Sequence, residues 1–154
     1  MKQRIYIDTS VVGGYFDEEF KEYTIKLFER CENDEIIFVV SDLLELELLN
    51  AHQRVRELLL KYSPSKFEKI ELTEEAVKLA HTYIKEKVVG QTSITDCRHV
   101  ALATINKVDV LSSWNFKHIV NLSKIKGYNS VNLRLGYMIL EIRSPKDLIN
   151  YGND

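Results

Sequence analysis

The feature that most constrains the fold is Ile36-Ile37-Phe38-Val39-Val40, an unbroken apolar run set between polar clusters. A strand with one wet face alternates apolar and polar residues, whereas an uninterrupted run belongs to a strand covered on both faces, as in a parallel sheet. Helices must then supply the cover, and the rest of the chain alternates accordingly. Arg4-Ile5-Tyr6-Ile7-Asp8 reads as a short buried strand that stops at an acid, followed by Thr9-Ser10. Gly13-Gly14 suggests a loop, and Glu18 to Arg30 spaces its apolar residues as a helix. Ser41 offers an N-cap for a helix over Asp42 to Asn50, and a second helix covers His52 to Tyr62 until Ser63-Pro64-Ser65 breaks it. Phe67 to Leu72 is a short strand or an extended connection. Thr73 caps a helix through about Lys87, closed by Gly90, and an Ala-rich helix follows from about Ser93 to Asn106. Val108 to Ser113 is a further strand ending at Trp114-Asn115. Beyond it a helix is expected over His118 to Lys126, Val131 to Ile142 fits either state, and Ser144-Pro145-Lys146-Asp147 opens a short helix. The pattern predicts a three-layer α/β/α fold, one domain over residues 1–154, with a central, mostly parallel sheet. In such sheets ligands bind outside the carboxyl ends of the strands, where strand order reverses. Asp8 and Asn115 are both expected at that edge.

Composition narrows the function classes. A 45% hydrophobic fraction is sufficient for one sizeable core, and a net charge of -2 gives no basic surplus, so contact with a nucleic acid would need a local basic patch. Arg54, Arg56, Lys61, Lys85, Lys87, Lys117, His118, Lys124 and Lys126 are the candidates for one. Cys31 and Cys97 stand far apart without a CxxC spacing, which indicates neither a disulfide framework nor a zinc site. With no apolar run of roughly 20 residues and no signal-like N-terminus, the expectation is a soluble cytoplasmic protein. Neither GxxxxGK[ST] nor GxGxxG occurs, which disfavours phosphate-loop and dinucleotide enzymes.

Two acids fall where apolar residues belong. At 100° per residue, Glu47 lies within the arc of Leu43, Leu44, Leu46 and Leu48, while Glu45 projects toward a polar sector near Asp42. Asp96 falls between Val100 and Ala103 on the later helix. An isolated buried carboxylate costs several kcal/mol, so three inward or edge-facing acids, Asp8, Glu47 and Asp96, imply a shared cation. All-carboxylate ligation suits a hard ion such as Mg²⁺ or Mn²⁺ rather than zinc, and such an ion can activate water for attack on a phosphodiester. Thr9, Ser10 and Ser41 are placed to hydrogen-bond the acids or simply to cap the following turns. His99, one turn after Asp96, either approaches the site or is structural.

These segments resemble the PIN-domain family, particularly VapC-like toxins and their stand-alone relatives, over most of the chain. The resemblance lies in Ile5-Tyr6-Ile7-Asp8-Thr9-Ser10-Val11, in Val39-Val40-Ser41-Asp42-Leu43-Leu44-Glu45-Leu46-Glu47, in Thr95-Asp96-Cys97-Arg98-His99-Val100-Ala101-Leu102-Ala103, and in Leu111-Ser112-Ser113-Trp114-Asn115-Phe116. It implies metal-dependent ribonuclease activity at Asp8, Glu47, Asp96 and Asn115, frequent homodimerisation, and often inhibition by a small antitoxin protein. Asn115 departs from the pattern, because many members carry Asp there. A neutral carbonyl can still ligate, but with one charge fewer a single well-held ion is expected rather than two. Asn115 serves either as that fourth group or as an ordinary cap. The departure keeps open a second class, a PIN-like module that binds RNA or protein without turnover. An aspartate phosphatase is disfavoured, since Ser10 stands where its second Asp is needed.

Overall fold

The computed structural model describes residues 2–151. Its sheet contains β1 (Gln3–Ile7), β2 (Ile36–Ser41), β3 (Phe67–Ile70), β4 (Val110–Ser112) and β5 (Ile142–Arg143) in the order β3-β2-β1-β4-β5, every pair parallel. The helices are α1 (Thr9–Gly14), α2 (Lys21–Glu32), α3 (Asp42–Leu48), α4 (Gln53–Leu58), α5 (Glu74–Lys85), α6 (Ile94–Ile105), α7 (Leu122–Arg134) and α8 (Pro145–Tyr151). Alternate residues of the central strands feed two separate cores. Tyr6, Val39, Leu111 and Ile142 pack with residues of α5, α6 and α7, while Ile5, Ile7, Phe38, Val40 and Val110 pack with α1, α2 and α8. That is the α/β/α sandwich required by an apolar run with no wet face. Among the described residues no helix is long and apolar enough to cross a membrane.

The chain builds outward from β1 to β2 and β3, then returns to the other flank of β1 for β4 and β5. Strand order therefore reverses between β1 and β4. The crevice at their carboxyl ends holds Asp8, one residue past β1, and Ser113, one residue past β4, with Ser41 ending β2 alongside.

Three sequence expectations need correction, and one open segment is settled. Gly13 and Gly14 do not form a loop but complete α1. A Cβ on Gly14 would lie 2.8 Å from the Trp114 indole, so the glycine permits close helix packing rather than a turn. Gly90 does not close α5. Left-handed Lys87 (φ 62°) does, with Val88 N–H returning to the Tyr83 carbonyl at 3.0 Å. The helix expected over His118 to Lys126 begins only at Leu122, because Asn121 Oδ1 accepts the Ser123 and Lys124 N–H groups and caps it there. Finally, β5 has only two residues, too few to give a periodic signal.

Candidate metal centre

Asp8 is 4% exposed and serves as the N-cap of α1. Its Oδ1 accepts from Ser10 Oγ at 2.6 Å and from Val11 N–H at 3.2 Å, and its Oδ2 accepts from Ser113 Oγ at 2.6 Å. The two serines are themselves fixed, since Ser10 Oγ accepts the Trp114 N–H at 2.9 Å and Ser113 Oγ accepts the Asn115 N–H at 3.0 Å. Both hydroxyl donors around Asp8 are thus tied to the β4 exit. Burial pushes this carboxyl above the ordinary Asp range, against the pull of the His99 ring, the two hydroxyls and the Val11 amide.

Glu47 lies on the inner side of α3, as its phase suggests, and Glu45 does not: Glu45 is exposed and stands 3.4 Å from Lys69 Nζ. Leu46, placed by the same construction in the apolar arc, is instead 63% exposed, because Leu43, Leu44 and Leu48 alone face the cores of this two-turn helix. Glu47 Oε1 is hydrogen-bonded to His99 Nε2, and the Thr9 hydroxyl approaches the same carboxylate without full hydrogen-bond geometry. Burial raises the Glu47 carboxyl, but the hydrogen bond with His99, joined by the Thr9 hydroxyl, outweighs it and holds the group below the usual range. Behind His99 runs a buried chain. Its Nδ1 is 2.6 Å from Tyr6 Oη, which is 2.7 Å from Ser41 Oγ, and Ser41 also caps α3 by accepting the Leu44 N–H at 3.1 Å.

Asp96 sits in the first turn of α6, half-buried. Burial raises its carboxyl, His118 and His99 lower it, and Asp8 and Glu47 each raise it further. The three acids therefore share one electrostatic neighbourhood. Among the described residues no three His, Cys, Asp or Glu side chains converge closely enough to clasp an ion by themselves. Mg²⁺ does not require a full protein cage, since it is commonly held by one or two carboxylates and keeps several waters. The donor set is all oxygen, and Asp96 is raised both by burial and by the charges of Asp8 and Glu47, which fits such an ion. Asn115 is differently employed: its Oδ1 accepts the His118 N–H at 2.9 Å and starts the turn over residues 116–119. Its carbonyl works as a cap.

Ser113 and Tyr6 are absent from the site read in the sequence, His118 stands there only as a candidate for a basic patch, and His99 has no fixed partner there. A signal existed for Ser113, a hydroxyl at the end of a strand flanking Asp8. Tyr6 reads only as a core aromatic until the fold sets it beside α6.

No family model matches the sequence, and no curated protein is similar to it. Solved structures are similar in shape. VapC20 of Mycobacterium tuberculosis, described as a sarcin-ricin loop cleaving toxin, superposes with a TM-score of 0.58 at 14% identity, covering 73% of this chain and 91% of that one. The DNA-bound VapBC of Salmonella typhimurium gives 0.57 at 13% identity, with 94% and 99% covered. FitAcB of Neisseria gonorrhoeae gives 0.57 at 13% identity, with 92% and 97% covered. With a five-stranded parallel sheet between helical layers and neighbours that cover 73% to 94% of its length, the chain has the PIN-domain fold of VapC-like proteins.

Proposed function

We propose that this protein is a Mg²⁺- or Mn²⁺-dependent endoribonuclease of the toxin kind, acting through Asp8, Glu47 and Asp96. The observation that carries this is the grouping of three acids from three separate elements at the carboxyl edge of the sheet, with Asp8 and Asp96 raised by burial and Asp96 raised further by its neighbours. A divalent ion held there would relieve that repulsion and would supply Lewis-acid polarisation of a phosphate and an activated water. Asp8 and Asp96 would hold it with Glu47 alongside. The rest of the work falls to the protein: Ser10 and Ser113 fix the direction of Asp8, and His99 engages Glu47. The RNA substrate is supported by the loop-cleaving neighbour, and a small antitoxin partner by the neighbours solved as VapBC and FitAB complexes. Leu46, Leu49 and Leu60, all more than 60% exposed, are the kind of surface a protein partner covers. We read the chain as a homodimer, which light scattering on the purified protein checks.

The test is cleavage of structured RNA in Mn²⁺ or Mg²⁺. Wild type should cut, and Asp8→Asn and Asp96→Asn should each lose cleavage; activity surviving both changes would reject the site. A second function is favoured by one observation, the use of the neutral Asn115 carbonyl as a turn cap, which commits the oxygen that would be a fourth ligand. A module that binds RNA without turnover would retain RNA in gel shifts and cut it in no divalent metal.

A further inference from the structure

The buried chain from Ser41 to Glu47 has one polarity in which every hydrogen finds an acceptor. Ser41 Oγ already receives the Leu44 N–H, so its own hydrogen goes to Tyr6 Oη, 2.7 Å away. Tyr6 then donates to His99 Nδ1 at 2.6 Å, and a ring whose Nδ1 accepts carries its hydrogen on Nε2, where it is given to Glu47 Oε1. Reversed, Ser41 would receive two hydrogens and have no acceptor for its own among the described residues, in a position 1% exposed. Tyr6 and His99 are 0% and 2% exposed, so water does not substitute for either link.

Glu47 needs such a constraint. Its side chain is 30% exposed and has three rotatable bonds, so packing alone does not select one rotamer. Resting on the metal-centre proposal above, we infer that His99 is a positioning residue. Locked as the Nε2–H tautomer by Tyr6, it grips one oxygen of Glu47 and keeps that carboxylate in the group that receives the cation. A histidine present only to fill the core would not need a defined tautomer, nor a carboxylate as its partner. The arrangement has the logic of outer-shell partners that orient a metal ligand through its far side.

Imidazole ¹⁵N NMR on the metal-free wild-type protein reads the tautomer directly. The expected His99 ring is protonated on Nε2 and bare on Nδ1; a ring protonated on Nδ1 overturns the inference. Calorimetric titration with Mn²⁺ reads the consequence. His99→Ala should bind about 10- to 100-fold more weakly than wild type, and His99→Gln, which keeps an N–H donor, should recover part of the loss. Unchanged affinity in His99→Ala, or no recovery in His99→Gln, overturns it. If His99→Ala does not fold, Tyr6→Phe takes its place: a severalfold loss of affinity is expected and wild-type affinity is the contrary result. Asp96→Asn separates the two levels. If it binds Mn²⁺ like wild type, the metal centre itself is wrong; if it abolishes binding while His99→Ala changes nothing, only the positioning role falls.

Discussion

Two adjacent glycines at the end of α1 should respond to the same substitution with opposite signs. Replacing glycine by alanine within a helix stabilises it by about 0.5–1 kcal/mol, because the unfolded chain has less freedom to lose. At Gly13 a new Cβ meets nothing within 4 Å, so Gly13→Ala should collect that gain. At Gly14 the Cβ would lie 2.8 Å from both Cδ1 and Nε1 of Trp114 and 2.9 Å from Thr24 Oγ1. The indole has little room to retreat. It is 7% exposed, stacks on Phe20 at 4.4 Å between centroids, and donates from Nε1 to Thr24 Oγ1 at 2.8 Å. Overpacking costs about 1–3 kcal/mol and the threatened hydrogen bond about 1 kcal/mol more. Set against the helix gain, Gly14→Ala should destabilise by about 1–3 kcal/mol. For a domain of this size that is a fall of roughly 3–10 °C in melting temperature, against a rise of about 1–4 °C for Gly13→Ala. Thermal and urea unfolding followed by circular dichroism measure both. A Gly14→Ala protein as stable as Gly13→Ala would refute the close approach of α1 to Trp114.

Further tests concern the buried polar groups. Ser113→Ala removes the hydroxyl that donates to Asp8 and accepts from Asn115, and should cost about 2–3 kcal/mol in urea unfolding; a loss below about 0.5 kcal/mol would show that Asp8 does not depend on it. Asn132, 0% exposed, accepts the Tyr83 hydroxyl at 2.5 Å and donates to Thr104 Oγ1 at 3.2 Å, so Asn132→Leu should destabilise by about 1–3 kcal/mol by taking the acceptor from Tyr83 and a donor from Thr104, and an unchanged urea midpoint would contradict this. Asp96 has a folded-state carboxyl raised above its unfolded value, so the folded protein holds the proton more tightly and this group lowers metal-free stability as pH rises through that interval. Metal-free Asp96→Asn should therefore gain on wild type between acid and neutral pH; a difference in urea midpoint that is flat across this range contradicts the shift. Saturating Mn²⁺ should raise the melting temperature of wild type but not of Asp96→Asn, and equal rises would place the ion elsewhere.

Much of the fold was legible because its strongest signals are local. An apolar run such as Ile36–Val40 reports its covering on both faces without knowledge of the neighbours, and Ser41 and Thr73 cap α3 and α5 where their positions predict. Helical phase likewise separated Glu47 from Glu45 and turned Asp96 toward the core side of α6. What escaped depends on partners distant in sequence. Gly13-Gly14 reads as a loop until Trp114 arrives from 100 residues away, and the His99 pairing requires Tyr6, Ser41 and Glu47 from three other elements. Leu46 failed for a different reason: α3 is too short to bury more than a narrow stripe. Asn115 could be read as ligand or cap, and only the His118 amide on its carbonyl shows the oxygen in use as a cap.

On the proposed function, the acids at the carboxyl edge of β1 receive a divalent ion. Anomalous diffraction from crystals soaked in Mn²⁺ tests this most directly. A manganese peak beside the carboxylates of Asp8 and Asp96, with Glu47 near it and waters filling the remaining positions, is the predicted result. Full saturation with no peak at these acids, or a peak bound elsewhere while they remain hydrogen-bonded to Ser10, Ser113 and His99 alone, would contradict it.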